Sequence, residues 1–232
     1  MVLPGFGDAY VMPRIRLLLA LTISAMLTPL MEASMPAIAS NGLALGLLLI
    51  SEILVGVFFG LIARMLISAM HVAGTIIANQ ASLAVASIFE ATVGMQSTIV
   101  ANFFTLTAIC LVFVLNLHHL MLTGMIQSYV VFPAGTWPNA EDMYAMYAQN
   151  VSAMFMIGVQ FSMPHILVSL LVYLVGGVMT RLMPTFQVFF VAMPAQILIA
   201  FILIILIISP MMLMYMAYIE DHLLLWTSSL GE

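Results

Sequence analysis

Nearly every charge in this chain stands at or near the end of an apolar run, and the runs are of a length that a hydrocarbon layer would accept. A helix needs about 20 apolar residues to cross such a layer. Five stretches reach or approach that length: residues 15–31, 43–63, 98–132, 151–180 and 187–219. A soluble domain carries about a quarter charged residues. Here the share is 6%, at a mean hydropathy of +1.24, so water cannot be the main solvent of the surface. The pattern predicts an all-α integral membrane protein, organised as one membrane domain over residues 1–232, because no polar linker or charge run divides it.

The same scarcity of charge excludes several functions. With no lysine, four arginines and a net charge of −5, the chain has no basic patch for nucleic acid or for an anionic lipid surface. The lone Cys110 lies inside an apolar run and offers neither a disulfide framework nor a thiolate metal site. Arg14 and Arg16 precede a run that ends in Thr28, Pro29 and Glu32 without a small-residue cleavage site, so the first segment is expected to stay.

Breaks within the runs are few. The third and fifth runs exceed one crossing, and residues 116–119 and the Ser209-Pro210 step are expected as bends or helix-hairpin corners. Residues 133–142, with Gly135, Trp137 and Pro138, form a polar loop, and Trp137 and Trp226 fit interfacial anchors. If successive runs alternate in direction and arginine is held on one side, all four arginines share a face. That assignment requires residues 65–97 to begin and end on the arginine side, as a hairpin or re-entrant segment. Composition agrees: Gly74, Asn79, Gln80, Ser82, Ser87, Glu90, Thr92, Gly94, Gln96 and Ser97 interrupt it more often than a lipid-facing helix tolerates. Irregular backbone at membrane depth survives only against protein or a water-filled cavity.

Chemical apparatus is sparse. Glu52, in the middle of the second run, should be protonated, paired or turned into a protein interior. It reads as a hydrogen-bonded carboxyl at a helix contact more readily than as a proton relay, since no second embedded acid or base is visible. Gly56 with Gly60, and Gly42 with Gly46, form Gly-x-x-x-Gly pairs that suit close helix packing. His118 and His119 point about 100° apart on a helix and do not share a ligand face. No nucleophile elbow, zinc-protease motif or phosphate loop is present, so catalytic residues, a bound metal and cofactors are all expected to be absent. Methionine, with 22 copies, suits either soft sealing surfaces or plain filling. A small-molecule secondary transporter would also have broken helices near mid-membrane, but it predicts an internal repeat, and none is apparent.

Several stretches, in order, resemble the flagellar biosynthetic protein FliR family of the type III export gate. Met12-Pro13-Arg14-Ile15-Arg16-Leu17 is similar to the family's Ile-Pro-x-x-Val-Arg/Lys-Leu, and Glu52-Ile53-Leu54-Val55-Gly56 to its Glu-Ile-Leu-Ile-Gly. Ala73-Gly74 through Gln80, then Ser82-Leu83-Ala84, Phe89-Glu90 and Gly94-Met95-Gln96-Ser97, follows its Ala-Gly-Glu-x-Ile-x-x-Gln-Met-Gly-Leu-Ser segment. Asn116 with His118-His119-Leu120 matches an Asn-Gly-His-His-Leu step. Arg181-Leu182-Met183-Pro184-Thr185-Phe186-Gln187-Val188-Phe189 with Met193-Pro194 is similar to Arg-x-x-Pro-x-x-Asn/Gln-Val-Phe ending in proline.

The resemblance implies a single copy assembled with FliP and FliQ subunits into a closed helical pore, with FlhB at its base and FlhA nearby, in the bacterial inner membrane at the flagellar basal body. Unfolded flagellar proteins would pass through that pore; an injectisome gate is the near alternative. It further implies a FliP-like part over residues 15–132 and a C-terminal part over 143–232 that includes a FliQ-like hairpin. Within the first part, segment 80–97 would be the plug: Val85, Ile88, Phe89 and Glu90, flanked by Gln80, Ser82 and Gln96. Helix packing would fall to Glu52, Gly56, Gly60, Arg181, Pro184, Gln187 and Pro194. The chain departs from the pattern at its start and at several internal positions. It starts close to the family's second helix, Ala81-Ser82 replaces Met-Gly, Glu90-Ala91 replaces Asp-Pro, and Leu117 and Gln196 replace a glycine and a lysine.

Overall fold

The computed structural model describes residues 2–8, 11–31, 42–82, 99–135, 137–183 and 188–229, leaving aside the side chains at 30–31, 131, 188–191 and 225–229. Within these residues all regular structure is helical: α1 (Pro13–Met31), α2 (Gly42–Gln80), α3 (Ile99–Val114), α4 (Leu117–Val131), α5 (Ala140–Leu182) and α6 (Val188–Ser229). The plug residues Val85, Ile88, Phe89 and Glu90, together with Gln96, Pro184 and Gln187, lie outside the described residues.

The chain is an all-α integral membrane protein. Three of these helices are long and apolar enough to cross a membrane, over Gly42–Gln80, Ala140–Leu182 and Ala192–Leu224, and the bent pair α3–α4 makes a fourth if counted as one span. At about 1.5 Å per residue, α2 is about 58 Å long, close to twice the ~30 Å of a hydrocarbon core. One crossing by such a helix leaves much of it outside the hydrocarbon or steeply tilted.

Two expected breaks are absent. The second run was expected to end at Ala63, but α2 continues through Arg64 to Gln80 as one helix of 39 residues. No proline interrupts residues 65–80, and the one glycine there, Gly74, costs a helix only about 1 kcal/mol. The corner expected at Ser209-Pro210 is also missing, since Pro194 and Pro210 both sit inside the continuous α6. A proline removes one backbone bond, whereas leaving the helix in an apolar medium would orphan many.

The bend expected at residues 116–119 is present. α3 and α4 meet at 79°, and Asn116 turns the corner in the left-handed region at φ 59, which asparagine enters more easily than most residues. The polar loop is shorter than expected. Glu141 and Asp142 fall in the first turn of α5, where the Asn139 side chain accepts from the Glu141 backbone N–H at 3.1 Å and donates to Asp142 Oδ2 at 3.0 Å. Acidic groups there complement the positive end of the helix dipole.

The helices contribute to two units. Met1–Ile67, Ile109–Ser152 and Ala217–Glu232 make the first; Ser68–Ala108 and Ala153–Met216 make the second. In the first, Phe58, Phe59, Ile62 and Phe132 form a core flanked by Val55, Met143 and Met146. An N-terminal turn covers part of α2 there. A side chain at Gly60 would meet Val2 at 2.7 Å, and one at Gly5 (φ +80) would meet the Phe113 ring at 2.4 Å. Asp8 organises this turn: Oδ2 accepts from the Gly5 N–H at 2.8 Å, its carbonyl accepts from Arg16 at 2.7 Å, and Oδ1 lies 3.7 Å from the Arg64 guanidinium.

In the second unit small residues bring backbones together. A side chain at Gly74 would lie 2.5 Å from the Ala101 Cα, and one at Gly158 would lie 2.7 Å from Val72. Close approach of this kind is how helices associate where lipid removes the hydrophobic drive. Tyr215 is fully buried and meets Phe161 edge-on at 6.0 Å. Met211, Met212 and Met216 are buried filling, whereas Met156, Met163 and Met179 are exposed.

Candidate functional site

α2 stops where polar side chains from three helices converge. Beyond Gln80 the backbone makes one more turn, with the Ala81 N–H on the Ile77 carbonyl at 2.8 Å and the Ser82 N–H on the Asn79 carbonyl at 3.2 Å. Ser82 adopts φ 57, a left-handed conformation uncommon for a residue with a side chain. A helix end leaves its last carbonyls without intrahelical partners. Here the Gln80 carbonyl accepts from Gln196 Nε2 on α6.

Gln196 is buried, at 6% exposure, and its whole amide is engaged. Its Nε2 also reaches the Tyr173 hydroxyl on α5 at 3.4 Å, and Oε1 accepts from Ser82 Oγ at 3.2 Å. The Gln80 side chain is held in turn by Ser169 on α5, whose hydroxyl donates to Gln80 Oε1 at 2.6 Å and lies 2.9 Å from the Ile166 carbonyl. A carbonyl oxygen can only accept, so the Gln80 main chain dictates which end of the Gln196 amide is nitrogen.

The cluster surrounds almost no free space. The adjoining cavity, lined by Gln80, His165, Ser169, Gln196 and Leu203 among others, has a volume of about 10 Å³. Small-molecule sites occupy roughly 300–1,000 Å³, so the cluster is a structural tie and has no room for a metabolite. His165 is buried beside it. In the first unit an open cleft of about 270 Å³ lies between the N-terminal turn, α1 and α4, lined by Leu3, Phe6, Ile23, Leu27, Met125 and Tyr129 among others, and it is mostly apolar.

The remaining expected site residues fall in varied surroundings. Glu52 is partly buried and its Oε1 accepts from the Gly135 backbone N–H at 3.3 Å, with the Tyr129 hydroxyl beside it. Gly60 is packed against Val2, whereas a side chain at Gly42, Gly46 or Gly56 would meet nothing within 4 Å among the described residues. Arg181 and Pro194 are exposed. His118 stacks on Phe113 across the α3–α4 bend, with ring centroids 5.0 Å apart. No group of metal-binding side chains occurs among the described residues.

Of the residues that meet at the end of α2, Gln80 and Ser82 stand out in the sequence as polar interruptions, and Gln196 as a departure from the family pattern. Ser169, Tyr173 and His165 do not stand out. A serine within an apolar helix commonly lies in reach of its own backbone, as Ser169 Oγ lies 2.9 Å from the Ile166 carbonyl, which hides its partner 89 residues away.

The family described as bacterial export proteins, family 1, matches residues 1–222. The flagellar biosynthetic protein FliR of Caulobacter vibrioides is 36% identical over 197 residues, covering 85% of this chain and 78% of the relative. FliR of Bacillus subtilis is 35% identical over 162 residues, 68% of this chain and 62% of the relative. The Yop proteins translocation protein T of Yersinia pestis is 27% identical over 182 residues, 78% of this chain and 70% of the relative. With a match that runs from the N-terminal turn into the last turns of α6, the chain belongs to the bacterial export proteins of family 1, the FliR family of flagellar biosynthetic proteins.

Proposed function

We propose that the chain is a non-enzymatic structural subunit of the flagellar type III export gate in the bacterial inner membrane. It builds, with FliP and FliQ subunits and with FlhB and FlhA close by, the pore through which unfolded flagellar proteins leave. The family match along residues 1–222 carries this reading. The fold supports it: in the most apolar windows of α2, α5 and α6 only 28%, 22% and 17% of the residues are buried within the chain, which leaves long faces to be covered by neighbours and lipid. In this reading residues 15–132 act as the FliP-like part and residues 143–232 carry the FliQ-like hairpin. Val85, Ile88 and Phe89 form an apolar plug, because a narrow hydrophobic constriction dewets and blocks ions without a mechanical lid.

Deleting the gene should abolish secretion of flagellar proteins. Shortening Val85 and Ile88 to alanine, or deleting residues 84–94, should make cells leak ions through an assembled gate. Unchanged conductance in that deletion would remove the plug assignment. A virulence-type gate is the neighbouring reading, favoured by the likeness to a protein named for Yop translocation. Genes for a hook and basal body beside this one support the flagellar role, and genes for a needle support the other.

A further inference from the structure

The end of α2 is tied by a pair of side chains whose chemistry fits each other and few alternatives. Ser82 is held in the left-handed region, where a residue with a side chain is strained. Its hydroxyl is spent on Gln196 Oε1 at 3.2 Å, across 114 residues of sequence. The same amide donates to the Gln80 carbonyl and to the Tyr173 hydroxyl. Two N–H donors and one carbonyl acceptor therefore meet two acceptors and one donor, within a site where Gln196 is 6% exposed and water is a poor substitute.

We infer that Gln196 is a positioning residue of the gate, acting with Ser82 as one coupled pair that sets the backbone at the end of α2 against α5 and α6. The functional consequence rests on the export-gate reading above; the coupling itself does not. Only an amide of this length serves all the partners. Glutamate, when ionised, brings two acceptors toward the Gln80 carbonyl, which also only accepts. Lysine can donate to that carbonyl but leaves the Ser82 hydroxyl without its acceptor, and leucine serves neither. Glycine at position 82 removes the strain and the hydroxyl together, so it removes the need for an acceptor at position 196. In the export-gate reading the plug residues begin at Val85, three positions beyond Ser82.

The test is a double-mutant cycle on the full chain, produced together with its FliP-like and FliQ-like partners. Two quantities are read: the thermal midpoint of the purified complex in mild detergent, and the leak of small ions from cells, followed with a membrane-potential dye. Gln196→Leu and Gln196→Lys are each expected to lower the midpoint by about 5 °C and to raise leak several-fold. Ser82→Gly alone sets relief of backbone strain against an orphaned Gln196 Oε1 and should change both less than either Gln196 variant. The Ser82→Gly, Gln196→Lys double variant should recover most of both, a rescue that a loss of packing volume at position 196 would not produce.

Additive midpoints for the two substitutions overturn the pairing. Coupled midpoints with leak at the parental level in every single variant overturn the positioning role. Failure of the gate reading is read separately: deletion of the gene would then leave flagellar secretion intact, while the thermal coupling would persist.

Discussion

The two halves of α2 are alike in composition and opposite in surroundings. In residues 42–57, Leu43 is 78% exposed and Ile53 65%, and a side chain at Gly42, Gly46 or Gly56 would meet no other described part of the chain within 4 Å. In residues 58–81, Ile62, Met70, Ala73, Ile77 and Ala78 are sealed, and Gly60 and Gly74 are approached closely by Val2 and Ala101. Glycines therefore serve the chain's own fold in one half and stand uncovered among the described residues in the other. Within a lipid-like medium apolar character does not say which neighbour a face will meet. The covered half carries the fold; in the proposed gate the uncovered half is covered by other subunits.

Steric load on the glycines should break this comparison most sharply. Gly74→Leu drives a side chain into the Ala101 backbone and should cost about 3 kcal/mol, seen as lost recovery of folded protein from detergent extracts. Gly56→Leu should leave the stability of the isolated chain within about 0.5 kcal/mol and reduce the FliP-like and FliQ-like chains that co-purify with it. Equal losses of stability from the two substitutions would erase the distinction.

A smaller effect is expected at Asn116. Its left-handed corner brings Phe113 against Gly5 and Phe6, in the N-terminal turn whose Val2 covers Gly60. Asn116→Ala should cost about 1 kcal/mol and lower the thermal midpoint, whereas Asn116→Gly should not. Asp8→Asn is expected to matter least. Arg64 is 52% exposed in its pair with Asp8, and an asparagine keeps an acceptor for the Gly5 N–H, so the loss should stay below about 0.5 kcal/mol in a chemical-denaturation titration.

How far the fold could be read from the residues follows from the same physics. The apolar runs and the Asn116 corner are local properties, written in consecutive side chains. The extent of α2 is not local. Arg64 marked the end of an apolar run, yet the helix runs on past it to Gln80, and its guanidinium lies by Asp8 in the N-terminal turn. Pro210 looked like a corner because proline breaks helices in water, and α6 keeps it because its surroundings offer the backbone no other partners. At the site, Gln80 and Ser82 were conspicuous as polar groups in an apolar run. Ser169 and Tyr173 on α5 were not, and Gln196 on α6 drew notice only against the family pattern, since a single serine, tyrosine or glutamine in a helix carries no mark of what it faces 89 or 116 residues away.

The most direct test of the account is the mass of the particle that contains this chain. Native mass spectrometry after gentle detergent extraction should give a complex far heavier than the 25.3 kDa chain, with one copy of it and several FliP-like and FliQ-like subunits released together on activation. A homogeneous 25.3 kDa species, recovered from cells that make all the partner chains, would contradict it.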